Sequence, residues 1–104
     1  MLRDFFLGIM KIHILFHARR NLVYGAELAE ELGRHGYQVS PGTLYPVLHG
    51  LEKEGLLESQ KATVQGKVRR YYQATRQGIE ALDEARSRVR ELVREVIMEE
   101  NNLQ

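Results

Sequence analysis

Three sets of residues in this sequence have types and spacings that could do chemistry. Ser40, Gly42, Thr43, Tyr45 and His49 form a run of small, hydroxyl-bearing and imidazole side chains. Groups of this kind approach a nucleic-acid backbone closely, donate to phosphate oxygens and reach base edges. Taken singly each has a plain reading too, Ser40 as a helix cap and His49 as a solvated imidazole. Lys67, Arg69 and Arg70 cluster beside Gly66, with Tyr71 next to them. Three cations on a short exposed tip repel one another without an anionic partner, so this set favours phosphate over a merely solvated hairpin. His13 and His17 stand four apart, a helical spacing that could hold a metal. No cysteine and no HEXXH pattern supplies a further ligand, so no metal and no cofactor are expected. There is no GxSxG elbow, no phosphate loop and no His paired with a plausible nucleophile, and catalysis is therefore not expected.

Five elements must position these residues. The segment from about Leu2 to His17 carries Leu2, Phe5, Phe6, Ile9, Met10, Ile12, Ile14, Leu15 and Phe16, apolar on nearly every side. Such a helix needs burial all round, and in so short a chain a second subunit is the expected cover. From Tyr24 to Arg34, Leu28 and Leu32 lie one turn apart with Glu27, Glu30 and Glu31 facing away, and Gly33 and Gly36 close an amphipathic helix. Ser40 then offers an N-cap and Pro41 fits the first helical position, predicting a third helix from Pro41 to Glu54 that stops at Gly55. Its core face is Leu44, Val47, Leu48 and Leu51. Geometry of about 3.6 residues per turn puts Gly42, Pro46, His49 and Lys53 on the opposite face, flanked by Thr43, Tyr45 and Gly50. Pro46 cannot donate to the Gly42 carbonyl, and backbone rules alone predict a kink there.

LESQKATV and KVRRYYQA flank Gln65 and Gly66, predicting a hairpin in which alternation turns Tyr72 and Ala74 inward. Thr75 can cap a last helix running to about Glu99, with Leu82, Ala85, Val89, Leu92 and Val96 at alternating three- and four-residue steps. That seam calls for a partner helix. The expected fold is mostly α with a small β-hairpin, a winged helix-turn-helix over 1–74 and a long C-terminal dimerisation helix over 75–104, forming one domain of 104 residues. Phe5, Phe6, Ile9, Leu82, Val89, Leu92 and Val96 are the expected dimer interface.

Composition agrees with an ordinary globular domain, 43% hydrophobic and 28% charged. The absence of cysteine excludes disulfides and thiolate chemistry and leaves the cytoplasm as the expected location. FFLGIMKIHILF could pass for a signal peptide, yet Lys11 and His13 interrupt it and no small-residue cleavage site follows before Arg19, so no membrane association is expected. A net charge of +1 gives no general pull on nucleic acid, so the distribution must carry the argument. Between Tyr37 and Gly78 six Lys and Arg stand against three acids, whereas from Ile79 onward four Arg stand against seven acids. The basic middle and the acidic tail suggest different partners for the two parts, with double-stranded DNA the expected partner of the chain.

YGAELAEEL, SPGTLYPVLHGLEKEGLL and GKVRRYYQATRQGIEAL, occurring in that order after an apolar opening helix, resemble the PadR family of bacterial transcriptional regulators in its short form with a single C-terminal helix. The likeness spans about Phe5 to Ala85. It implies a homodimeric repressor whose first and last helices form the interface and whose two winged units reach adjacent grooves. By the same resemblance Ser40, Gly42, Thr43 and Tyr45 match the DNA-facing start of the recognition helix, Lys67, Arg69 and Arg70 match the wing, and the third helix continues through Pro46. Gly50 departs from the pattern, standing where many members carry a basic residue, and Ala74 replaces a larger aliphatic one. Some short members of that family bind flat aromatic compounds between subunits. Phe5, Phe6, Met10, Phe16, Val89 and Val96 could line such a space for a small apolar or aromatic effector, although filling the dimer core is the simpler use of them. The competing function is a winged-helix module that binds an acidic protein through its basic wing.

Overall fold

The computed structural model describes residues 1–99. In chain order the elements are α1 (Leu2–Arg20), β1 (Val23–Tyr24), α2 (Gly25–Arg34), α3 (Pro41–Lys53), β2 (Leu57–Val64), β3 (Lys67–Ala74) and α4 (Arg76–Leu92), which continues as a π-helical stretch over Val93–Met98. The last five residues of the expected C-terminal segment lie outside the described part.

The core forms where the apolar stripes of the four helices meet the inner face of the sheet. Ile14 of α1, Leu28 and Leu32 of α2, Leu48 and Leu51 of α3, Leu57 and Tyr72 of the sheet and Leu82 of α4 are all buried. Each buried leucine contributes roughly 1.5–3 kcal/mol of transfer free energy. α1 runs one turn further than the sequence suggested, ending with Arg19 and Arg20, where cations oppose the negative end of the helix dipole. Within the chain it is not buried on every side. Met10, Ile14, Leu15 and Ala18 face the core, while Leu2, Phe5, Phe6 and Phe16 are exposed.

β2 and β3 pair antiparallel from Leu57 opposite Ala74 to Val64 opposite Lys67, with the strand bounds that the alternation indicated. Their connection is the two residues Gln65 and Gly66, both with positive φ (51° and 77°), the left-handed turn whose twist matches the strands it joins. β1 was not foreseen. It adds a third strand on the free edge of β3, Val23 opposite Tyr72 and Tyr24 opposite Tyr71, and thereby fixes the root of the hairpin to the start of α2.

α4 begins at Thr75, whose hydroxyl accepts from the Gly78 amide at 3.0 Å and donates to the Gly55 carbonyl at 2.6 Å. Gly78 is required at this junction, because a Cβ there would overlap the Leu56 carbonyl oxygen. The helix then leaves the body of the protein. Every residue from 86 to 99 is exposed, and the molecule measures 59 × 28 × 22 Å. Its radius of gyration, 15.6 Å, exceeds the value of about 13 Å expected for a compact chain of this size. Among the described residues no helix is long and apolar enough to cross a membrane.

Candidate nucleic-acid interface

α2 and α3, joined through residues 35–40, form the helix-turn-helix. Leu28, Leu32, Leu44, Leu48 and Leu51 bury the facing sides of the pair and leave the other side of α3 in solvent. On that side Gly42, Tyr45, Pro46, His49 and Lys53 are all exposed. α3 is continuous through Pro46. The carbonyl that loses its amide partner belongs to Gly42, which is itself exposed, so water can satisfy it.

The start of α3 differs from expectation in one detail. Ser40 occupies the N-cap position, but its side chain makes no hydrogen bond to the helix backbone and instead donates to the Thr43 hydroxyl at 3.4 Å. No acidic side chain lies in the first turn. The positive end of the helix dipole is therefore not neutralised from within the helix, and the two hydroxyls stand beside it. Tyr45 is seated against α2, its ring covering Gly25 so closely that a Cβ at that position would lie 2.6 Å from the phenol oxygen. Its ring centroid is 6.5 Å from that of His49 one turn on. Ser40, Gly42, Thr43, Tyr45 and His49 are thus brought together on one accessible surface.

The wing residues are not brought to a single face. Strand alternation sends Lys67 and Arg69 to one side of the hairpin and Arg70 to the other, where its register partner is Lys61. Arg69 lies with its guanidinium 4.4 Å from the centroid of the Tyr24 ring, which meets Tyr71 edge-on at 5.5 Å. The Tyr71 hydroxyl and the nearby Tyr24 raise the Arg69 pKa further above its already high ordinary value. Arg70 reaches toward α3: it donates to the Ser59 hydroxyl at 2.9 Å, and Ser59 donates to Glu52 at 2.5 Å. One wing arginine is therefore propped by aromatic rings and the other is linked through a serine to a carboxylate of the recognition helix. Sequence reasoning missed Lys61 and Tyr24. The two-residue turn could have revealed Lys61, since it fixes the register opposite Arg70, whereas the position of Tyr24 depends on β1.

Residues 14–84 match the sequence pattern of the Transcriptional regulator PadR-like family. The chain belongs to the PadR-like family. It is 53% identical over 96 residues to the transcriptional regulator Rv3488 of Mycobacterium tuberculosis, an alignment covering 92% of this chain and 90% of that protein. Its fold is similar to the crystal structure of a PadR family transcriptional regulator from Eggerthella lenta, with a TM-score of 0.81, 31% identity, and coverage of 92% of this chain and 85% of that one. A PadR-like transcriptional regulator from Bacillus cereus gives a TM-score of 0.70 at 33% identity, covering 99% of this chain and 94% of the other. The protein is accordingly a PadR-like transcriptional regulator on a winged-helix DNA-binding fold, in a family of regulators rather than enzymes.

Of the expected interface residues, Phe5, Phe6, Val89, Leu92 and Val96 are exposed on this PadR-like chain and Ile9 is half-buried. Leu82 is only 1% exposed because it fills the subunit's own core, which leaves it no surface for a partner. The expectation that His13 and His17 lack a third ligand is corrected as well. His35, at the end of α2, brings a ring nitrogen close enough that one nitrogen from each of the three imidazoles lies within 4.8 Å of the other two.

Proposed function

We propose that this PadR-like protein is a cytoplasmic homodimer that binds double-stranded DNA sequence-specifically and represses transcription. The observation that carries this reading is the pairing of an exposed, polar, unneutralised α3 start with a cationic hairpin that is tied to the same helix through Arg70, Ser59 and Glu52. Ser40 and the positive end of α3 meet phosphates, while Thr43, Tyr45 and His49 approach base edges. Lys67, Arg69 and Arg70 hold the flanking backbone.

Dimerisation is supported by the uncovered end of α4. Val89, Leu92, Val93, Val96 and Ile97 are 37–52% exposed on a helix that nothing in the subunit covers, and the outer side of α1 adds Leu2, Phe5 and Phe6. Two copies related by a two-fold axis bury these stripes against each other and present two equivalent recognition helices. Phe5, Phe6, Val89 and Val96 then fill the dimer core, so the reading assigns no effector to that space.

Selection of bound sequences from random duplex DNA tests the proposal. The expected product is an inverted repeat whose half-sites are centred about one helical turn, roughly 34 Å, apart. A single asymmetric motif, or no enrichment, contradicts it.

A further inference from the structure

We propose that His13, His17 and His35 form a binding site for one divalent transition-metal ion of the zinc class per chain. Two of the ligands sit one turn apart on α1, and the third is the residue that ends α2, so the site bridges two elements. The three donor nitrogens fall within 4.8 Å of one another. Zinc–imidazole bonds of about 2.0–2.1 Å in tetrahedral geometry set ligand nitrogens about 3.3 Å apart. His35 is exposed and stacks on His13 with ring centroids 4.6 Å apart, so its side chain has room to turn toward an ion.

The surroundings suit a cation held by nitrogen. Imidazole binds such an ion through a neutral ring nitrogen, so uptake competes with protons and weakens as pH falls. Glu31 of α2 lies 3.9 Å from His17 Nε2, near enough to orient that ring or to close the coordination shell, and Arg34 holds its other oxygen. Ile12, Phe16 and Leu82 wall the adjoining hollow of about 340 Å³, with Arg86 on its rim as the one cation there among the described residues. A set of three imidazoles selects zinc, cobalt, nickel or copper over calcium and magnesium, which prefer oxygen. An ion in this position ties α1 to the end of α2, from which the chain turns into α3. Any effect of that tie on DNA affinity rests on the function proposed above, whereas occupancy of the site does not.

The test is titration of the untagged, metal-free, full-length protein with cobalt(II) at neutral pH, followed by displacement with zinc(II). One cobalt per chain is expected, with the intense visible bands of a four-coordinate ion, bleached by zinc. His35→Ala, at an exposed position, should keep the wild-type circular dichroism and metal-free melting temperature while losing at least about tenfold in affinity, and His17→Ala should repeat the loss. Cobalt binding that survives His35→Ala unchanged overturns the proposal, as does wild-type stoichiometry well below one at millimolar metal. No DNA is present, so failure here is distinct from failure of the DNA-binding reading.

Discussion

Tyr72→Phe should stabilise the protein. Tyr72 is 0% exposed, and its hydroxyl has no hydrogen-bond partner among the described residues. A buried hydroxyl without a partner costs about 1–3 kcal/mol relative to the unfolded chain, where water satisfies it. Phenylalanine keeps the ring in the core beneath β3 and removes only the oxygen. At about 4 °C per kcal/mol for a chain of this length, the melting temperature should rise by about 4–12 °C. The pH dependence provides an independent readout. Burial raises the Tyr72 pKa, Glu52 and Tyr45 act in the same direction, and Arg70 opposes them. In the unfolded chain the phenol ionises near its ordinary value of about 10, while in the folded chain it stays protonated to higher pH. The contribution of Tyr72 to stability is therefore intact below about pH 10 and lost as pH climbs through the folded value. The advantage of Tyr72→Phe should accordingly widen above about pH 10. Thermal melts by circular dichroism at one fixed protein concentration measure both effects, since melting of a dimer depends on concentration. A variant that melts at or below wild type refutes the reasoning, because it means the hydroxyl has a partner worth keeping. DNA affinity should stay close to wild type, since the oxygen is buried and cannot itself touch a duplex.

Three further substitutions probe other parts of the protein. Leu92→Asp places a carboxylate in the proposed seam of α4, at a cost of several kcal/mol if it stays charged and dry, and light scattering should then report monomer where wild type gives dimer. Gly50→Ala should add about 0.5–1 kcal/mol in chemical denaturation, because glycine is costly inside a helix and a Cβ there meets nothing within 4 Å. Gly25→Ala should unseat Tyr45, whose phenol oxygen lies 2.6 Å from the added carbon, and lower affinity for the selected operator more than for scrambled duplex, as read by fluorescence anisotropy.

Much of this organisation was legible in the sequence because it depends on local periodicity. The leucine spacing of α3 and the alternation around Gln65 and Gly66 mark elements whose inner faces the structure buries. What was not legible depends on contacts between distant segments. A two-residue strand such as Val23–Tyr24 has no periodicity of its own and exists only because β3 offers an edge. Ser40 has the residue type of a cap, yet Thr43 competes for its hydroxyl. The π-helical stretch Val93–Met98 leaves the apolar spacing of the C-terminal segment unbroken and so carries no signal in sequence. His35 lies 18 residues beyond His17 and approaches it only because α2 folds back along α1. The wing cations adjoin in sequence, but the pleat separates them, and only the fold shows Tyr24 under Arg69 and Ser59 beside Arg70.

The central claim, that α3 reads the operator while the wing anchors the backbone, is tested most directly by titrating selected operator and scrambled duplex at several salt concentrations. The proteins compared are wild type, Thr43→Ala and the Arg69→Ala/Arg70→Ala double variant. Each phosphate that an arginine no longer neutralises should reduce the slope of log K against log salt by about 0.9, hence by about two per dimer for each arginine that touches phosphate. The double variant should therefore weaken on both duplexes alike, and Thr43→Ala should weaken mainly on operator with its salt slope unchanged. A double variant that binds both duplexes as tightly as wild type, with an unchanged slope, contradicts the account.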